Sequence, residues 1–152
     1  MPAGRFATMS ASGPQIIDAR ELFRHRKVVL FGVPGAFTPT CSKSHLPGFL
    51  AAYDAFREKG VDTIACMAVN DVHVMNAWGK DRGVGDRILM LADGNGEYAD
   101  ALGLLVDSSG FLMGKRSRRF AIVADDGIAS FVAVDEPGKF ELTGADIVLN
   151  AL

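Results

Sequence analysis

The run Val28-Val29-Leu30-Phe31, continuing to Val33, contains no polar side chain and predicts a strand covered on both faces. Val61 to Val69 runs apolar in the same way and predicts a central strand. Ile88 to Ala92 predicts a third, closed by Asp93-Gly94-Asn95-Gly96. Between these runs the period changes. Leu46, Phe49, Leu50, Tyr53 and Phe56 recur every three or four positions, which predicts a helix over 42–59 with one core-facing stripe, ended by Gly60. Pro47 cannot donate to the Lys43 carbonyl, so a kink is expected at Leu46-Pro47-Gly48. A helix over 72–80, capped by Asp71, turns Val74, Met75 and Trp78 inward, and a short one follows around Tyr98 to Leu102.

The two ends are less regular. Residues 1–14 are small and polar, with at most a weak strand around Phe6-Ala7-Thr8-Met9, and Ile16-Ile17 is a short apolar pair. Asp18 caps a short helix, Ala19 to Phe23, and Arg24-His25-Arg26-Lys27 reads as a solvated turn. Residues 104–114 have no strong period. Arg119 to Ala124 and Ile128 to Val134 are strand-like and flank Asp125-Asp126-Gly127, a hairpin turn. After a turn at Glu136-Pro137-Gly138-Lys139, Thr143 is expected to cap a final helix, with Asp146 at its positive end. This order predicts an α/β fold with a central mixed β-sheet flanked by helices.

At 152 residues, with no linker-like stretch, the chain predicts one domain over 1–152. A net charge of −2 gives no broad field for nucleic acid or an anionic membrane, and no apolar run approaches the roughly 20 residues of a membrane span. Met1 to Gly13 lacks the apolar core of a signal peptide, so a cytoplasmic, reducing compartment is expected. Two cysteines without a Cys-x-x-Cys pair, and three unclustered histidines, predict neither a disulfide scaffold nor a metal site. The glycines match neither nucleotide-binding loop, so no cofactor is expected. Thiol chemistry remains.

Cys41 is its first candidate. It opens the helix from a loop at the carboxyl end of a strand, where open α/β sheets place functional groups. Free backbone N–H groups and the positive end of the helix favour thiolate over thiol. Thr38, three residues upstream, offers a hydroxyl that can donate to a thiolate. One of Arg116, Arg118 and Arg119 can cross to this loop with a fixed positive charge, but spacing does not choose among them. His45 lies one turn beyond Cys41, close enough for a Cys–His pair, with no third orienting residue evident. Cys66, among Ile64, Ala65, Met67 and Ala68, reads as core filler rather than a resolving thiol.

Pro34, Thr38 and Cys41 stand as Pro-x-x-x-Thr-x-x-Cys, the active-site signature of peroxiredoxins. The longer string Val33-Pro34-Gly35-Ala36-Phe37-Thr38-Pro39-Thr40-Cys41-Ser42, with His45-Leu46-Pro47-Gly48-Phe49, resembles the type II (peroxiredoxin 5) subfamily. Val69-Asn70-Asp71, Met75-Asn76-Ala77-Trp78 and Arg116-Ser117-Arg118-Arg119-Phe120 extend the resemblance over the chain beyond about residue 15. It implies a thioredoxin-like fold, whose βαβ and ββα units both have counterparts here. It also implies a peroxidase of hydrogen and alkyl hydroperoxides, with Cys41 the peroxidatic nucleophile, Arg119 the active-site arginine, Thr38 bonded to peroxide and thiolate, and Pro34 shielding the pocket. A homodimer packed through the active-site ends, with Phe37 near that surface, is implied as well.

The chain departs from that pattern in having no cysteine in the region matching Gly138 to Thr143, where some members carry a resolving thiol. Its N-terminus also looks shorter than the family's usual first strand. Cys66 matches a second cysteine common in the subfamily, but a bridge to Cys41 needs the Cα atoms within about 7 Å. An external thiol is therefore expected to reduce the oxidised cysteine, either glutaredoxin with glutathione or thioredoxin. A redox sensor, a thiol–disulfide oxidoreductase and a cysteine hydrolase using His45 are the competing readings.

Overall fold

The computed structural model describes residues 1–152, and its chain begins with a hairpin that the sequence reading reduced to a weak strand. β1 (Arg5–Ser10) pairs antiparallel with β2 (Gly13–Asp18) over six residue pairs. The signal is faint because β1 buries only Phe6 and Thr8, and Thr8 spends its hydroxyl on the Met90 carbonyl at 2.8 Å. Asp18 caps α1 (Ala19–Phe23) by accepting from Arg20 N–H. β3 (Lys27–Gly32) follows.

The expected helix over 42–59 is broken into three pieces. Cys41–His45 form one wide turn in which Leu46 N–H reaches back to the Cys41 carbonyl, five residues away. α2 (Leu46–Ala51) carries Pro47 in its first turn, and α3 (Tyr53–Glu58) starts after a break at Ala52. Pro47 has no N–H to give and fits a helix start, so the irregularity moves just ahead of it.

β4 (Thr63–Ala68), α4 (Val72–Asp81), β5 (Leu89–Ala92) and α5 (Glu97–Ala101) come next. The aperiodic stretch then forms a small ladder, β6 (Leu105–Asp107) against β7 (Lys115–Ser117). β8 (Phe120–Asp125), β9 (Ile128–Val134) and α6 (Ala145–Asn150) complete the chain. The main sheet runs β2-β1-β5-β4-β3-β8-β9, with β3, β4 and β5 parallel and the other pairings antiparallel. Gly144, not Thr143, takes the cap position of α6, and Thr143 is buried.

Alternation along β3 divides the core. Val29 and Phe31 face one layer with Phe49, Phe56, Met75 and Trp78, while Val28 and Leu30 face the other with Phe23, Tyr98 and Phe120. Cys41 and Cys66 both belong to the first layer.

One register pair aims the functional end of this sheet. Gly32 lies opposite Phe120, and the ring of Phe120 fills the space where a Gly32 side chain would stand; a Cβ there would meet Cε1 at 2.0 Å. The pair locks Arg119 beside the loop that follows β3. Gly32→Ala should cost about 2 kcal/mol by overpacking. Chemical denaturation would read that loss, and a variant as stable as wild type would contradict the packing.

Candidate active site

Beyond Gly32 the chain leaves the sheet as a loop held from three sides. Val33 N–H donates to the Met67 carbonyl at 3.0 Å, and Ala36 N–H donates to Asn70 Oδ1 at 2.9 Å. Arg116 reaches under Gly35, where a Cβ would lie 3.1 Å from its Nη1. Arg116 also donates to the Met113 carbonyl at 2.9 Å. Phe37 takes a left-handed conformation, φ 64°, and is 52 % exposed. Asn70 drew no role from the sequence, and Arg116 only as one of three candidate arginines, because only the meeting of two strand ends shows what they hold.

Thr38 donates its hydroxyl proton to the Gly35 carbonyl at 2.7 Å. It makes no hydrogen bond to Cys41 here, which corrects the donor role expected for it. With its proton committed, the oxygen offers lone pairs and suits a ligand O–H. At the start of the wide turn, Ser42 N–H is taken by the Thr38 carbonyl at 3.0 Å, while the Cys41 N–H makes no backbone bond in this loop. Wide turns of this kind recur at functional sites. The Ser42 hydroxyl accepts from Trp78 Nε1 at 3.0 Å, and its carbonyl accepts from Arg82 at 3.2 Å, which pins the turn to α4.

Cys41 itself is 0 % exposed, its sulfur buried beside the Arg119 guanidinium. Arg119 is the arginine that crosses to it. Its Nη2 donates to Cys41 Sγ at 3.2 Å and its Nη1 to His45 Nδ1 at 2.8 Å. Arg118 goes elsewhere, to the Asp135 carbonyl at 3.1 Å and toward Glu136 at 3.7 Å.

The hydrogen bonds fix the state of His45. Its Nε2 lies 2.9 Å from the Thr143 carbonyl, which only accepts, so Nε2 holds the proton and Nδ1 is the acceptor facing Arg119. The ring is buried among Phe31, Phe49 and Phe140, with centroids 5.0, 5.6 and 4.9 Å away. Burial, and then the Arg119 charge, lower its pKa from the ordinary 6.5 to about 3. A neutral histidine without a proton toward the sulfur orients the arginine rather than acting as a base. Phe140 completes the arrangement, 5.6 Å from the guanidinium carbon.

Pro34, Thr38 and Arg119 border a cleft of about 540 Å³ that Phe111, Met113 and Pro137 also line. A larger cleft, about 680 Å³ between Thr8, Gly79 and Met90, touches neither cysteine. Cys66 lies in β4 opposite Phe31, fully buried. Burial, reinforced by Cys41 and opposed by Arg119, pushes its thiol well above the ordinary range, which leaves it unreactive in place.

A thiol, a donating arginine and a fitted pocket at the end of a parallel sheet match a known group of proteins. The Redoxin family model matches residues 1–149. The chain is 44 % identical to chloroplastic Peroxiredoxin-2E of Arabidopsis thaliana over 145 residues, 94 % of this chain and 62 % of that protein. It is 46 % identical to Peroxiredoxin-2B of the same plant, over 91 % of this chain and 85 % of that protein. The chain belongs to the peroxiredoxin family. Among solved structures, this peroxiredoxin superposes with a TM-score of 0.95 on reduced Prx3 of Vibrio vulnificus in complex with hydrogen peroxide. That match has 44 % identity and covers 99 % of this chain and 94 % of the other. The thioredoxin-like fold expected from the resemblance is the one found.

Proposed function

We propose that this peroxiredoxin is a thiol-dependent peroxidase in which Cys41 reduces hydrogen and alkyl hydroperoxides. The observation that carries the reading is the Arg119 Nη2 to Cys41 Sγ hydrogen bond of 3.2 Å, made by a guanidinium whose other arm rests on a neutral histidine. The Cys41 thiolate attacks one peroxide oxygen in line with the O–O bond. The S–O bond forms as O–O breaks, and its electron pair leaves on the distal oxygen, which takes a proton and departs as water or an alcohol. Arg119 and the Cys41 N–H are donors placed for the charge that moves. Thr38, its own proton held by Gly35, accepts from the peroxide O–H, and Pro34 keeps bulk water from the thiolate.

The resulting sulfenic acid is recycled by an external thiol. One thiol condenses with it, releasing water and leaving a mixed disulfide, and a second thiol frees Cys41. Glutaredoxin with glutathione, or thioredoxin, in a reducing cytoplasm fits this scheme, because the remaining cysteine is buried in a strand. Exposed Phe37 beside the pocket supports a homodimer through that face.

Dimedone trapping after one equivalent of peroxide tests the scheme. The adduct should form on Cys41 and not on Cys66, and Cys66→Ser should retain steady-state turnover with glutaredoxin and glutathione within about twofold. A Cys41–Cys66 disulfide as the main oxidised product would sink it.

A further inference from the structure

We infer that Asp135 is a positioning residue that acts on Cys41 through Thr143, His45 and Arg119. The inference rests on the reading of Cys41 as the reacting thiol. The register Phe120 opposite Val134 places Asp135 beside Arg119 on the neighbouring strand, and Asp135 N–H donates to the Arg119 carbonyl at 2.9 Å. A carboxylate so placed would ordinarily pair with the guanidinium. It does not: no ion pair of the chain within 4 Å involves Arg119.

The Asp135 side chain turns instead into the segment before α6. Oδ1 accepts from Glu141 N–H at 3.0 Å and Leu142 N–H at 2.9 Å, and Oδ2 accepts from the Thr143 hydroxyl at 2.7 Å. Asp135 and Thr143 are both buried. These three bonds hold Thr143 so that its carbonyl meets His45 Nε2 at 2.9 Å, leaving Nδ1 to accept from Arg119 Nη1 at 2.8 Å. The last link is Nη2 to sulfur, 3.2 Å. The carboxylate thus organises the loop without neutralising the arginine, whose charge stays directed at Cys41.

The chain of contacts makes a definite claim about failure. If the loop slackens, the Thr143 carbonyl withdraws and His45 is free to carry its proton on Nδ1. That nitrogen then opposes Nη1, and the guanidinium moves off the sulfur. Nothing in this sequence of events requires the fold to be lost.

Asp135→Ala and Thr143→Val should each slow the reaction of Cys41 with hydrogen peroxide about 10-fold, the lower range for removing an outer partner of a functional group. The pH midpoint of Cys41 alkylation by iodoacetamide should move upward in both, and Thr143→Ser should restore wild-type behaviour. Alkylation reads the sulfur without any peroxide, so it tests the relay even if the peroxidase reading fails. In a His45→Leu background, Asp135→Ala should change the alkylation rate by less than about twofold, because the relay is already cut. Should Asp135→Ala fail to fold, Thr143→Val in the same two backgrounds carries the test. An unmoved alkylation midpoint in the folded variants, or an undiminished effect in the His45→Leu background, would overturn the inference.

Discussion

Arg119→Met should slow the reaction of the protein with peroxide by about 10²- to 10³-fold, the cost of deleting one donor aimed at developing charge. Methionine keeps the length and the packing on Phe140, so the change isolates the guanidinium. Two bonds are lost together: Nη2 to Cys41 Sγ and Nη1 to His45 Nδ1. The first stabilises the attacking thiolate and, as the O–O bond breaks, the departing oxygen. Losing the second leaves a buried acceptor unpaired, which should also lower stability by about 1–3 kcal/mol. Arg119→Lys should not rescue the rate, because one ammonium on a flexible stem does not span sulfur and imidazole in the way a planar fork does. Trp78, the only tryptophan, bonds the residue next to Cys41 and provides a stopped-flow fluorescence signal. A methionine variant within threefold of wild type would remove Arg119 from the mechanism.

Much of this site is legible in the sequence. Apolar runs marked β3, β4 and β5, and the residues around Cys41 carried a long recognisable pattern. The rest depended on register and on water-free packing, which composition does not encode. Arg116, Arg118 and Arg119 read alike in sequence; the pairing of Gly32 with Phe120 decides which of them meets the sulfur. Thr143 shows the same ambiguity in another form. A threonine before a helix suits both a cap and a buried hydroxyl, and the second role wins because β9 delivers an Asp135 carboxylate to it. Pro47 announced an irregular helix but not the wide turn ahead of it, which is set by Leu46 reaching the Cys41 carbonyl. The first hairpin reads only as a weak strand because its inward residues are few and partly polar.

Burying a neutral His45 should make the protein sensitive to mild acid, and the sign follows from the direction of the shift. Its pKa is about 3 in the folded protein and 6.5 when exposed. Between those values the unfolded chain binds a proton that the folded chain refuses, so stability is complete above about pH 6.5 and falls as pH drops toward 3. From pH 7.5 to 5.0 the loss attributable to His45 is about 2 kcal/mol, and it approaches 4–5 kcal/mol near pH 3. Asp135 adds a second loss at the lower end. Burial alone would raise its pKa, but the Thr143 hydroxyl and the amides of Glu141 and Leu142 hold it below the ordinary 3.8. Its contribution is therefore present above that value and disappears beneath it. Urea denaturation of wild type and His45→Gln at pH 7.5 and 5.0 separates the two groups, since Asp135 stays charged at both. Glutamine can accept from Arg119 and donate to the Thr143 carbonyl without titrating, so the variant should lose about 2 kcal/mol less than wild type over this interval. Equal losses in the two proteins would mean that His45 takes up its proton as readily in the fold as in the unfolded chain, and its role as the neutral acceptor for Arg119 would go with it.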